Sequence, residues 1–161
     1  MSTERATFGF VSRWIGQAEC TVDAVVPAPP ADVRAFYVDL ERLVRVHPLV
    51  VAVTTVAREG ERREYRVVDR IPLGPVTLRT RYAVTMTVPD GAGEVVADSR
   101  QFPRVRLNTT VSFAARGDQT VLTEHMRITA PRPLLAVTVR QAVAAHTTML
   151  ERIAAHFSSG R

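Results

Sequence analysis

Three ionisable side chains in this 161-residue sequence sit where a fold would surround them with apolar neighbours. His146 lies in a segment whose apolar residues recur at helical spacing, near the centre of an arc with Val139, Ala142, Leu150 and Ile153. An imidazole there is either a core side chain bonded to a threonine or a backbone carbonyl, or a group that binds ligand or moves protons. On the second reading, His146→Leu should keep the fold and lose ligand affinity. Glu124 alternates with Leu122, Met126 and Ile128, so a strand would turn its carboxyl inward. A carboxyl in that position needs an arginine partner, a place at the rim, or a raised pKa that suits it to orient a ligand or act as acid and base. Asp69 shares a face with Tyr65, Val67 and Ile71, Tyr82 with Leu78, Thr80, Val84 and Met86, and Thr109 with Val105, Leu107, Val111 and Phe113. These would add a carboxyl and hydroxyls to the same interior. His47, before Pro48 in an irregular segment, is either a plain loop histidine or a contact at a cavity mouth.

Other chemistries find little support. The histidines at 47, 125, 146 and 156 have no metal-ligand spacing, so no metal and no cofactor are expected. Cys20 is the single cysteine and lies among Ala18 and Val22, which describes a buried, inert thiol and a reducing, cytoplasmic setting. No glycine-rich phosphate loop occurs. The formal charge is +5, yet all 21 basic residues are arginine and only 6% of residues are aromatic, so nucleic acid is not an expected partner.

The positioning elements can be read from the same pattern. With 46% apolar and 23% charged residues, the chain has the composition of one globular domain. Valine and threonine dominate, which favours strands. Residues 1–17 read as an extension carrying Phe8, Phe10, Val11, Trp14 and Ile15, whose aromatic residues should pack onto the body or a partner subunit. A strand through Ala18, Cys20, Val22, Ala24 and Val26 is stopped by Pro27, Pro29 and Pro30. A short helix follows through Val33, Phe36 and Tyr37, then a second turn that Asp39 can cap. Six strands are expected at 49–58, 62–72, 75–88, 94–101, 104–115 and 119–130, separated by Gly, Pro and Asp turns. From 133 to 157 there is no glycine, and the spacing predicts one long helix. Arg66, Arg70, Arg79, Arg81, Arg104, Arg106 and Arg127 fall on the opposite, outer faces of the strands, a solvated surface or one suited to an anionic membrane.

The stretch V-D-A-V-V-P-A-P-P-A-D-V-R-A-F-Y-V-D-L-E-R-L-V-R-V-H-P at 22–48, followed by this order of elements, resembles the SRPBCC superfamily, also called START-like or polyketide cyclase-like. The resemblance covers roughly residues 18–158, which would form a single domain. It implies an α+β helix-grip fold: a seven-stranded antiparallel sheet wrapped around a long C-terminal helix, two short helices after the first strand, and a cavity between sheet and helix. The family's usual ligands are small and hydrophobic, such as lipids and polyketides, and some members cyclise or dehydrate them.

The expected function is therefore binding of a small hydrophobic ligand by Leu78, Tyr82, Leu107, Thr109, Met126, Val139, Ala142, His146, Met149 and His47, as a monomer or homodimer. The alternative is an aromatase/cyclase- or dehydratase-type enzyme in which His146, Glu124 and Asp69 move protons on a polyketide-like substrate.

Overall fold

A computed structural model describes residues 5–10 and 13–160. The chain runs β1 (Arg5–Phe10), β2 (Ile15–Val26), α1 (Pro30–Tyr37), α2 (Leu40–Leu43), β3 (Val50–Glu59), β4 (Arg62–Leu73), β5 (Val76–Thr87), β6 (Val95–Gln101), β7 (Val105–Arg116), β8 (Gln119–Pro131) and α3 (Arg132–Ser159). The described strands form one sheet in the order β1-β2-β8-β7-β6-β5-β4-β3, antiparallel throughout.

The strand count is eight, not seven. The additional strand comes from the segment expected to be an extension, which pairs from Arg5 opposite Thr21 to Phe10 opposite Gly16. Main-chain bonding to the edge of β2 holds it, while Phe8 is 59% and Trp14 73% exposed. Val11 and the Phe10 side chain lie outside the described residues.

Elsewhere the local chemistry explains the elements. Alternation in β2 buries Ala18, Cys20 and Val22 against α3. Pro30 opens α1, where a missing N–H costs nothing, and α1 buries Val33, Phe36 and Tyr37. The Asp39 carboxylate caps α2 by accepting from the Arg42 N–H at 3.3 Å. The 28 residues of α3 run unbroken and bury Leu135, Val139, Val143, Ala145, Met149, Leu150 and Ile153. At 1.5 Å per residue they span roughly 42 Å, enough to cross the sheet. α3 packs mainly on β2 and β8. The strands from β3 to β7 curve away from it and leave the space that forms the site.

Candidate functional site

Glu124 on β8 is completely buried. Its two oxygens have separate partners: the Tyr37 hydroxyl of α1 donates to Oε1 at 2.6 Å, and His146 Nδ1 of α3 donates to Oε2 at 2.5 Å. No arginine takes part, so the carboxyl is neither guanidinium-paired nor at the rim. Burial, the Glu124 charge and the hydrogen bond push the Tyr37 hydroxyl well above its ordinary pKa and keep it a donor. For His146, burial pulls the pKa down, but the charge of Glu124, the hydrogen bond to it and the charge of Asp69 outweigh it and leave the imidazole raised. Because Nδ1 is committed to Glu124, Nε2 is the nitrogen left for a ligand.

A second carboxyl lies nearby on β4. Asp69 is 6% exposed; its Oδ2 accepts from the Tyr82 hydroxyl at 3.0 Å, and its Oδ1 is buried with no hydrogen-bond partner. Burial raises Asp69 from 3.8 to about 6, against the opposing pull of the Tyr82 hydrogen bond and of His146. Tyr82 is itself pushed well above its ordinary value by burial and by Asp69. His47 stands edge-on to His146, with ring centroids 5.6 Å apart. Its Nδ1 accepts from the N–H groups of Leu49 and Val50, both at 3.2 Å, which places the proton of the neutral ring on Nε2. Burial, His146 and Arg152 lower this imidazole to about 3, so it stays neutral.

These groups border a cavity with two adjoining lobes that share His47, Tyr82, Ser99, Leu107 and His146. The apolar lobe, about 100 Å³, lies under α2 and is lined by Leu40, Leu43, Val53, Val67, Val84, Met86, Ala97 and Met149, with Tyr37 and Thr109. The second, more polar lobe, about 90 Å³, still has apolar walls from Ile71, Val105, Ile128 and Ala142 but adds Asp69, Gln101, Thr138 and Gln141. A water needs roughly 10–15 Å³ by such a measure, so each lobe has room for part of an organic molecule.

Of the residues expected to touch a ligand, Tyr82, Leu107, Thr109, Ala142, His146, Met149 and His47 border the cavity. Three do not. Leu78 faces inward by strand parity, but it lies on the part of β5 that extends beyond its pairing with β6 and is 46% exposed. Met126 is fully buried, sealed in the core beside Glu124's strand neighbours. Val139 lies on the other flank of α3, with Ala136, Val143 and Thr147. Tyr37 was legible only as a core residue of α1; the need of a buried phenol for a hydrogen-bond partner is the signal that marks it. Gln101, the last residue of β6, and Gln141, within α3, carried no apolar signal that would mark them. The expectation for His146→Leu is also corrected, because Nδ1 holds a buried carboxylate and the ring therefore serves the core as well as the cavity. His125, on the outer face, meets Thr21 at 3.1 Å, and no group of three His, Cys, Asp or Glu among the described residues is placed to hold a metal ion.

A curved antiparallel sheet, a long C-terminal helix and a cavity between them define a helix-grip domain. A family model described as "Polyketide cyclase / dehydrase and lipid transport" matches residues 17–158, and the chain belongs to that family. Solved structures agree in fold. TTHA0849 from Thermus thermophilus is 22% identical with a TM-score of 0.74, over 88% of this chain and 98% of that one. The Zhui aromatase/cyclase from Streptomyces sp. R1128 is 11% identical with a TM-score of 0.66, over 85% and 93%. A STAR-related lipid transfer protein fragment from Xanthomonas axonopodis is 15% identical with a TM-score of 0.61, over 95% and 98%. No curated protein matches by sequence. Among the described residues no helix is long and apolar enough to cross a membrane.

Proposed function

We propose that the domain binds a small, mainly apolar molecule with one oxygen-bearing end. The body would occupy the apolar lobe and the oxygen would meet His146 Nε2 or Asp69 in the polar lobe. The observation that carries this reading is a mainly apolar cavity in which the polar groups Asp69, Gln101, Thr138 and Gln141 are confined to one lobe, with Asp69 Oδ1 there lacking a partner. Family membership supports it, since the family's description joins cyclisation, dehydration and lipid transport. Native mass spectrometry of the purified protein should show a co-purifying small molecule. Ala97→Leu, which fills the apolar lobe, should remove it; a bound mass unaffected by that substitution would count against the cavity.

One observation favours a second reading, proton transfer on a polyketide-like substrate. The Glu124–His146 pair is an imidazole oriented by a buried carboxylate, an arrangement suited to general acid–base catalysis, and Asp69 is raised to about 6. Turnover of a poly-β-ketone that disappears in His146→Gln, with ligand affinity retained, would select this reading over simple binding.

A further inference from the structure

We propose that the end of the domain carrying the polar lobe docks on an anionic lipid surface. The docking stands on its own observations; the role it would serve, passage of an apolar ligand between bilayer and cavity, rests on the binding function above.

Three elements meet at that end. The β4–β5 hairpin pairs out to Leu73 opposite Val76, whereas β6 pairs with β5 only from Ala83 onward, so the hairpin projects past its neighbours. One hydrogen bond links it to α3, where Gln141 Nε2 donates to the Pro72 carbonyl at 3.3 Å. Beside it runs the β6–β7 connection, and the start of α3 is tied to β2 by the Arg132 N–H donating to the Trp14 carbonyl at 3.0 Å. Each element presents large apolar side chains to solvent: Val76 63% exposed on the hairpin, Phe102 89% on the connection, Leu134 36% at the helix start and Trp14 73% beside it. All four stand at the same end of the strands, on projections whose apolar side chains can enter the boundary of a bilayer.

The charge there has one sign. Segments 70–81, 100–105, 131–138 and 13–18 contain no carboxylate and seven arginines. Arg70, Arg79, Arg81 and Arg104 among them are exposed, whereas the sheet's ion pairs use Arg62, Arg100, Arg106 and Arg127. The acidic turns, with Glu59, Glu61, Asp90, Glu94 and Asp118, lie at the opposite end of the strands. In the hairpin, Leu73, Val76 and Leu78 occupy the inner face and Arg70, Arg79 and Arg81 the outer, which lets apolar residues enter the acyl boundary while guanidinium groups meet phosphates. A lipid surface fits better than an acidic protein because the apolar residues stand on separate projections and do not line a groove.

Trp14 is the sole tryptophan, so its emission reports the docking directly. The full chain should shift its emission to the blue and co-sediment with phosphatidylcholine vesicles containing phosphatidylserine, but not with phosphatidylcholine alone. Each of Arg79→Gln and Arg81→Gln should weaken partitioning by about fivefold at low salt, and Phe102→Ser should weaken it without changing the melting temperature. Binding to neither vesicle would overturn the proposal, as would binding to polyglutamate without binding to vesicles. Ala97→Leu separates the two claims: it should lose ligand and still dock, whereas an unmodified chain that binds ligand but fails to dock sinks this proposal alone.

Discussion

Glu124→Gln tests the polar network most sharply, because it removes one charge while keeping the side chain's shape. The wild-type carboxylate accepts hydrogen bonds from Tyr37 at 2.6 Å and from His146 at 2.5 Å in a fully buried site. A hydrogen bond to a charged group is worth about 1.5–3 kcal/mol, and glutamine keeps one carbonyl acceptor for the two donors. The expected loss of stability is thus about 2–4 kcal/mol by denaturant unfolding. The pH dependence gives a second, independent sign. Burial lowers His146 and Glu124 raises it, so without that charge the imidazole should titrate below its ordinary 6.5, in place of above it. A histidine raised on folding contributes its full stabilisation below 6.5 and loses it as pH rises through the folded value. The histidine part of the stability gap between wild type and variant should therefore widen as pH falls below 6.5, where the variant must protonate its lowered imidazole, and close as pH rises through the wild-type folded value. Effects of His47 occur in both proteins and largely cancel. NMR titration of the His146 ring nitrogens, alongside unfolding at several pH values, measures both quantities. A variant of unchanged stability, or one whose His146 titrates as in wild type, would refute the assignment of Glu124 as the imidazole's partner.

The other substitutions follow from the same geometry. His146→Leu leaves the buried Glu124 carboxylate with Tyr37 alone and should cost about 3–5 kcal/mol; adding Glu124→Gln should recover most of that loss, which a purely ligand-contacting histidine would not show. Asp69 behaves oppositely to a paired carboxylate. Its folded value is raised from 3.8 to about 6, so its penalty is absent below 3.8 and grows to its full size by about 6. Asp69→Asn should accordingly stabilise the protein at pH 7, by about 1–3 kcal/mol after losing the charged Tyr82 hydrogen bond. Unfolding curves that coincide with wild type at pH 7, or a gain that persists at about pH 3, would contradict the burial argument.

The architecture was legible because its determinants are local. Strand alternation, proline stops, glycine turns and the glycine-free run ending in α3 place ten of the eleven elements within a few residues. β1 was not, because main-chain pairing to an exposed edge leaves no side-chain pattern: Gly9 lies opposite Gln17 and Phe8 stays in solvent. The inward direction of Glu124, Asp69 and His146 follows from periodicity, and the structure joins Glu124 to His146 directly. That Tyr37 completes the pair depends on α1 folding over the end of β8, a long-range contact across 87 residues that no spacing encodes. Leu78 failed for the converse reason. Its strand parity is correct, but whether a face is covered depends on where the helix ends relative to the hairpin.

The cavity as a ligand site is tested most directly by the methionine methyl groups. Of the four methionines, Met86 and Met149 line the apolar lobe, whereas Met126 is sealed in the core outside it. With methyl-labelled protein and 2-naphthol as a bicyclic probe carrying one hydroxyl, the Met86 and Met149 signals should shift together and saturate while Met126 moves far less. Shifts that never saturate, or a saturating site that leaves Met86 and Met149 unmoved, would contradict the account.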